Sequence, residues 1–316
     1  MTDLGEHQTN LMCRVSVIIA TRNREDILAG CLERLLAQEG PRFEVIVVDA
    51  SSSGATQEIL SQYPSVVNRR LGDVPHSMVL GRNVGLSLAQ GEIVAFIDDD
   101  CFVQEGWLRE LAGAFVRPEV AAAGGRVIQH PWKAVQHGPP VAELDLTHDR
   151  IWAEWDRTLD TPVDVPHLPG GNCAVRRDVA LDLGGFDTNF VGSANLEETD
   201  FFLRVSEAGG RIVFVPTAVV EHRAAPRVDG ISRSQTNFAW RYSIVRNRLY
   251  FLRKHRAKGF KISLRRYVLD VFVVPIRIIG EALTFGAASL AGILTGALCR
   301  CTGKSAGLHR GPDEEV

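Results

Sequence analysis

Apolar residues arrive along this chain in short continuous runs separated by polar stretches. "VSVIIA" (15–20), "FEVIVVD" (43–49), "EIVAFID" (92–98) and "RIVFVP" with "AVVEH" (211–222) each read as a strand buried on both faces. Helical patterns lie between them, over Asp26 to Ala37 and Arg82 to Ala89. Continuous apolar strands alternating with helices predict an α/β domain, with a mainly parallel sheet flanked by helices on both faces.

In such sheets a ligand binds outside the carboxyl ends of the strands, and polar residues collect there. Thr21, Arg22 and Asn23 follow the first strand, Asp49 ends the second, and Asp98, Asp99 and Asp100 close the third. Three adjacent carboxylates resist ionisation unless something positive sits among them. Hard divalent cations such as Mg²⁺ or Mn²⁺ take carboxylate oxygens and complete their shell with water or substrate phosphate. A D-x-D at a strand end therefore suits a metal–nucleotide complex, with helix capping or a solvated acidic turn as the plainer alternative. Asp49 can accept hydrogen bonds from a ribose or a base N–H, or can cap the next helix. Arg82 and Asn83 open a helical pattern just before the acids, and a helix N-terminus with an arginine predicts an anion site. The first strand runs into "ATRNRED", without the glycines of a dinucleotide fingerprint, which excludes a Rossmann site. The same lack of a glycine-rich phosphate loop weighs against a sugar-phosphate nucleotidyltransferase.

Farther along, "NLEETDFFLR" (195–204) sets Glu197, Glu198 and Asp200 in a first helical turn, where acids complement the helix dipole. One of them as general base is the functional reading. His222 ends its strand as the acids end theirs, and neutral imidazole is a common metal ligand. Residues 130–168, rich in proline and carrying Trp132, Trp152 and Trp155, predict an elaborated loop region over a site. The three-residue spacing of Trp152 and Trp155 fits a helix, with stacking on an acceptor and core packing as equal readings. "GGNCAVRR" (170–177) restarts regular structure, with a helix start at Asp178 and a stop at Gly184 and Gly185.

Charge changes this picture at the C-terminal side. The chain's formal net charge is -3, but residues 1–222 hold 18 Lys and Arg against 32 Asp and Glu, and residues 223–266 hold 13 against one. An acidic body joins a basic segment that reads as helix over 238–267, followed by an uncharged run, "ALTFGAASLAGILTGALC" (282–299). That run sits at the lower edge of a membrane-spanning length of about 17–25 residues. Basic residues beside an apolar run favour an anionic membrane surface over nucleic acid. Monotopic attachment is expected, with spanning by residues 282–299 and a soluble helical subdomain over the active site as the alternatives, and with close helix packing through small residues Ala288, Gly292 and Gly296, in a membrane or in a homodimer, as a further option. The six cysteines lie scattered and the first residues are polar, so reduced thiols in a cytoplasmic protein, peripheral on the inner face of the cell membrane, are expected.

Taken in order, "VSVIIATRNR", "VIVVDASS", "RNVGLSLAQGEIVAFIDDD", "GGNCAVRR", "GGFD", "EETDFFLRVSEAGGRIVFVPTAVVEH" and "RNRLYFLRKH" resemble the family 2 inverting glycosyltransferases with the GT-A nucleotide-diphospho-sugar transferase fold. The resemblance implies a catalytic domain over 14–222, after a tail of 1–13 and before a basic and apolar helical region, 223–302, and a polar tail, 303–316. It implies transfer of a sugar from a nucleotide-diphosphate sugar, through Mn²⁺ or Mg²⁺, to a hydroxyl acceptor: a glycan, a lipid-linked glycan or a small molecule. By family likeness Thr21, Arg22 and Asp49 hold the nucleoside, and Arg82 and Asp98 lie near ribose and phosphates, with Asn83 and Asp99 beside them. Asp100 matches the metal-binding acid and His222 its strand-end partner. Glu198 stands at the base position as Glu where the family usually has Asp, so Glu197 and Asp200 stay open. A non-catalytic scaffold of the same fold is the remaining alternative.

Overall fold

The computed structural model describes residues 14–74, 78–129, 140–145, 150–224, 238–255 and 290–291. Its first half alternates strands β1 (Val15–Thr21), β2 (Phe43–Asp49), β3 (Val66–Arg70) and β4 (Ile93–Asp98) with helices α1 (Glu25–Leu36), α2 (Ala55–Leu60) and α3 (Met78–Leu88). All four strands are parallel, and β1 lies between β2 and β4. In that register Thr21 pairs with Asp49 and Ala20 with Asp98, which aligns the polar strand ends.

Both faces of this sheet are covered, as its unbroken apolar strands require. Leu28, Cys31, Leu32 and Leu35 recur at helical spacing on α1 and pack with Val17 and Ile19. On the other face Val79 and Leu86 of α3 meet Ile18, Ile46 and Val48. This helix lies close because Gly85 has no side chain: a Cβ there would sit 2.4 Å from a methyl of Ile18.

The second half contains β5 (Cys101–Val103), α4 (Trp107–Gly113), β6 (Val120–Gln129), β7 (Ala142–Asp145), β8 (Arg150–Ala153), β9 (Val163–Asp164), β10 (Asn172–Arg176), α5 (Arg177–Asp182), α6 (Glu197–Glu207), β11 (Arg211–His222) and α7 (Phe238–Lys254). The main sheet runs β3-β2-β1-β4-β10-β6-β11-β5, with β9 on β11. Here β10 is antiparallel to both neighbours, while β6 and β11 are parallel. The two apolar runs of 211–222 form the single strand β11, with a register shift between Val215 and Val220. After the shift His222 lies opposite Cys101 on one side and Gln129 on the other.

Two expectations change. Trp152 lies on β8 of a two-stranded β7–β8 sheet, and Trp155 follows that strand, so their spacing is not helical. Trp155, partly buried, packs edge-on against His167 and beside Phe214, against the edge of the core. The basic segment begins as the expected helix, α7, and Val245, Tyr250, Phe251 and Leu252 join the core around Phe186, Phe190, Phe201 and Phe202. Residues 256–289 and 292–316, with nearly all of the apolar run and the proposed dimer surface, lie outside the described residues, as does Trp132. Among the described residues no helix is long and apolar enough to cross a membrane. Cys31, Cys101 and Cys173 are buried thiols.

Candidate active site

The acids after β4 are partnered by side chains from four separate elements. Thr21 at the end of β1 donates through Oγ1 to Asp99 Oδ2 at 2.7 Å. Arg24, just before α1, places Nη1 2.6 Å from Asp99 Oδ1 and 3.0 Å from Asp100 Oδ2. Arg82 of α3 donates from Nη2 to Asp98 Oδ1 at 3.0 Å. His222 at the end of β11 brings Nε2 to 3.2 Å from Asp100 Oδ1. Asp99 is pushed up to about 6 by burial, reinforced by Asp100 and only partly opposed by Arg24 and Thr21.

Arg82 ties this group to the second acidic cluster. Its Nη1 reaches Glu197 Oε1 at 2.8 Å, Nη2 also donates to the Gly170 carbonyl at 2.9 Å, and the guanidinium lies over the Phe186 ring. Burial alone would weaken that charge, yet Asp98, Glu197 and Glu198 hold it above the ordinary arginine value. One cation therefore faces three carboxylates, and the Glu197–Glu198 pair shares a proton. Burial and the adjacent Glu198 push Glu197 well above the usual range. Burial also opposes ionisation of Glu198, but the hydrogen bond from Glu197 and the charge of Arg82 hold it below that range. The chain enters this helix through Ala194 and Leu196, both in the left-handed region, and such strain concentrates at functional sites.

Asp200 faces the other way. Its carboxylate accepts from Arg204 Nε at 2.9 Å, one turn along the same helix, and from Lys254 Nζ at 2.8 Å and His255 Nε2 at 2.9 Å at the end of α7. These groups outweigh burial and pull it down to about 2. Lys254 also reaches Asp187 at 2.6 Å, and Tyr250 donates to the same carboxylate. Asp200 thus anchors α7 and is separated in role from its two neighbours.

Other predicted residues are placed differently from expectation. Because α3 runs Met78–Leu88, Arg82 sits one turn inside the helix rather than at its N-terminus, so it acts by its own charge and not by the helix dipole. Asn83 is turned from the acids: its amide donates to the Phe186 carbonyl and accepts from the Phe186 N–H, both at 2.8 Å, and braces the Gly184–Gly185 turn. Asp49, fully buried, accepts from the Ser51 N–H and from the Gln57 side chain through Nε2; neither is a backbone N–H of α2, so the capping role considered for it is not the one it takes. Arg22 pairs with Asp73 at 2.8 Å. Arg24, Glu197 as a charge partner of Arg82, and Gln129 were not singled out by sequence. The only local signal for Arg24 was a second arginine in "TRNR".

The donor set around Asp100 fits a divalent cation. Gln129 Oε1 lies 3.0 Å from His222 Nδ1. With that amide oxygen taking the hydrogen of Nδ1, the Nε2 lone pair would be available to a cation held beside Asp100, the arrangement in which a histidine binds metal. With Cys101 Sγ, these ligand atoms lie within 4.8 Å of one another. The glycines at 170 and 171 let the chain pass close to these side chains, since a Cβ on Gly171 would lie 2.8 Å from Asp98 Oδ2 and one on Gly170 3.1 Å from Arg82 Nη2.

Solved structures with a similar course include a mannosyltransferase from Pyrobaculum calidifontis in complex with GDP-Man and Mn²⁺. It has a TM-score of 0.55 at 18% identity, over 92% of this chain and 77% of that one. GalNAc-T7 with UDP, GalNAc and Mn²⁺ has a TM-score of 0.60 at 17% identity, over 83% of this chain and 54% of the other. Both are glycosyltransferases of the GT-A fold, and the likeness establishes that fold here. Among curated relatives, the pre-mycofactocin glycosyltransferase of Mycobacterium tuberculosis is 29% identical over 214 residues, 66% of this chain and 42% of that protein's length. The glycosyltransferase AglE of Haloferax volcanii is 26% identical over 224 residues, 69% of each. The model of glycosyl transferase family 2 matches residues 16–184, more than half of the chain, and the protein belongs to that family.

Proposed function

We propose that this chain is a metal-dependent, inverting glycosyltransferase that moves a sugar from a nucleotide-diphosphate sugar to a hydroxyl of a glycan, lipid-linked or small-molecule acceptor. The observation that carries this reading is the Arg82 bridge, one guanidinium 3.0 Å from Asp98 and 2.8 Å from Glu197. It supports a single cleft in which donor-binding and proton-accepting groups meet. Thr21, Arg22 and Asp49 flank the nucleoside at the ends of β1 and β2, and Arg82 with Asp98 flanks ribose and phosphates.

In the step we assign, ionised Glu198 takes the proton of the acceptor hydroxyl. The hydroxyl oxygen bonds to the anomeric carbon as the bond to the diphosphate oxygen breaks. The electron pair leaves with the nucleotide diphosphate and the configuration inverts, through an oxocarbenium-like transition state. A cation held by Asp100 and His222, Mn²⁺ or Mg²⁺, would supply Lewis acidity that offsets charge on the leaving diphosphate. With Trp155 packed against the core, Trp152 is our acceptor platform: it is 36% exposed and its Nε1 is fixed by Glu143 Oε2 at 2.6 Å.

Membrane association on the inner face of the cell membrane is proposed for the segment after α7. Lys254 and His255 are engaged by Asp187 and Asp200. Attraction to anionic lipid therefore falls to Arg256, Lys258, Lys261, Arg265 and Arg266, at about 1 kcal/mol each near the surface. Sedimentation with vesicles containing phosphatidylserine, but not with neutral vesicles, is the expected result.

The enzyme reading is tested by calorimetry with UDP, GDP and dTDP, with and without Mn²⁺, on the native chain and on Asp100→Ala. Metal-dependent binding of one nucleotide, lost in the variant, is expected. Binding of none under any condition would sink the proposal.

A further inference from the structure

Among the described residues Arg24 is a cation that touches two of the three strand-end acids, and none of the roles above uses it. Its side chain is 14% exposed and those of Asp99 and Asp100 are each 5% exposed, so the contacts lie largely out of water. Through a single nitrogen, Nη1, it holds Asp99 Oδ1 and Asp100 Oδ2. Thr21 takes the second oxygen of Asp99. Asp100 therefore turns Oδ2 to Arg24 and presents Oδ1 to His222.

We infer that Arg24 is a positioning residue that fixes Asp100 in a one-oxygen presentation and sets the charge of the centre, so that a divalent cation binds weakly until a nucleotide diphosphate arrives with it. This rests on the metal-centre reading proposed above. The charge count gives the reason. Arg82 answers Asp98 but is shared with Glu197 and Glu198, so the balance beside the metal ligand is local: Asp99 and Asp100 are two carboxylates and Arg24 returns one charge. A divalent cation overshoots that balance by one unit, in a partly buried place where an uncompensated charge is costly. An anionic diphosphate coordinated to the same cation restores it. Without Arg24 the compensating charge between the two carboxylates is missing, and a divalent cation can supply it by itself. Orientation acts in the same direction, because a hydrogen-bonded carboxylate is a fixed monodentate ligand and a released one can chelate.

The test is titration of Mn²⁺ followed by electron paramagnetic resonance near neutral pH, with and without UDP and with and without GDP. The variants are Arg24→Met, Arg24→Lys, Asp99→Asn and the double variant Arg24→Met/Asp99→Asn. Arg24→Met is expected to bind Mn²⁺ about tenfold more tightly without nucleotide, since one buried unit charge is removed from beside the metal. The enhancement of Mn²⁺ affinity by nucleotide is expected to shrink by the same factor, because the affinity with nucleotide bound stays near native, and the enhancement of nucleotide affinity by Mn²⁺ must shrink equally. Asp99→Asn is expected to shift nucleotide-free affinity the opposite way, the double variant to return it towards the native value, and Arg24→Lys to stay near native. If Arg24→Met does not fold, Asp99→Asn and the double variant still decide the matter. Native affinity in Asp99→Asn, or a double variant whose affinity does not return towards native, overturns the inference. Absence of Mn²⁺ binding by the native chain with either nucleotide, or native binding by Asp100→Ala, overturns the metal centre itself and is read separately.

Discussion

The two acidic clusters make the most instructive comparison in the molecule. Asp98–Asp100 and Glu197–Asp200 each hold three carboxylates near the start or end of a regular element, and by composition they look alike. What separates them is the cations that other elements deliver. The first cluster receives Arg24 and a share of Arg82, and Asp100 keeps a second oxygen turned to the His222 imidazole, the pair proposed to hold a cation. The second is divided within one turn of helix. Glu197 and Glu198 share one arginine and hold a proton between them, while Asp200 is surrounded by Arg204, Lys254 and His255. Surplus negative charge at Asp100 suits a metal, a shared proton at the glutamates suits proton transfer, and surplus positive charge around Asp200 suits anchoring.

The largest effect expected on this division is on turnover. Glu198→Gln should leave Mn²⁺-dependent nucleotide binding intact by calorimetry and lower transfer by about 10²–10⁴-fold, the usual worth of a general base. Glu197→Gln supplies an amide N–H where the shared proton was and should lose much less. If the two variants lose the same activity, or if Glu198→Gln retains it, the base lies elsewhere and the division within α6 fails.

Asp200→Ala comes next, and its effect should fall on stability instead. Removing one partner of a buried ionic group leaves the others uncompensated, at a cost of about 3–5 kcal/mol. Chemical denaturation should show that loss, with hydrogen exchange rising first in α7, whose Lys254 and His255 lose their anion. A variant with native stability and abolished transfer would return Asp200 to the catalytic candidates.

How much of this was legible in sequence follows from how local each signal is. The strands β1, β2 and β4 are unbroken apolar runs, and the acids at their ends needed only the rule that ligands sit at carboxyl ends. The antiparallel insertion of β10 between β4 and β6 leaves no mark in a five-residue strand. Arg82 was found, but for a helix-terminal reason that the extra turn of α3 removes. Arg24 and Asp99 are 75 residues apart, and Arg82 and Glu197 are 115 apart, so no local window could pair them. The basic segment was legible only in part. Its charge indicated a surface, and within it Lys254 and His255 point inward, to Asp187 and to Asp200, one of the acids that sequence left open as the base.

The pH dependence of stability sharpens the comparison through opposite signs. Asp200 is lowered from 3.8 to about 2, so its contribution is present above pH 3.8 and lost as pH falls through 2, worth roughly 2 kcal/mol. Asp99 is raised from 3.8 to about 6, so the folded state holds its proton more tightly. Its contribution is complete below pH 3.8 and is lost as pH rises through 6. Urea unfolding across pH 2–8 should show Asp200→Asn flattening the acid limb and Asp99→Asn flattening the decline between about pH 4 and 6. Identical difference curves for the two variants would break the contrast.

The smallest effect tests the glycine pair at 170 and 171, which neither cluster contains but both need. A Cβ at position 171 would lie 2.8 Å from Asp98 Oδ2 and 3.1 Å from Cys101 Sγ, while at position 170 its nearest neighbours are the Arg82 guanidinium nitrogens at 3.1 and 3.2 Å. Asp98 is the partly exposed acid of the three and can swing away, so Gly171→Ala should cost only about 1 kcal/mol in stability, at the low end for overpacking. The displaced carboxylate would loosen its bond to Arg82, the bridge between donor and base sites. Nucleotide affinity should therefore fall more in Gly171→Ala than in Gly170→Ala, where a flexible arginine end gives way. Equal affinities in calorimetry would mean that the Asp98–Arg82 contact does not shape the donor site, and the bridge would then serve the fold alone.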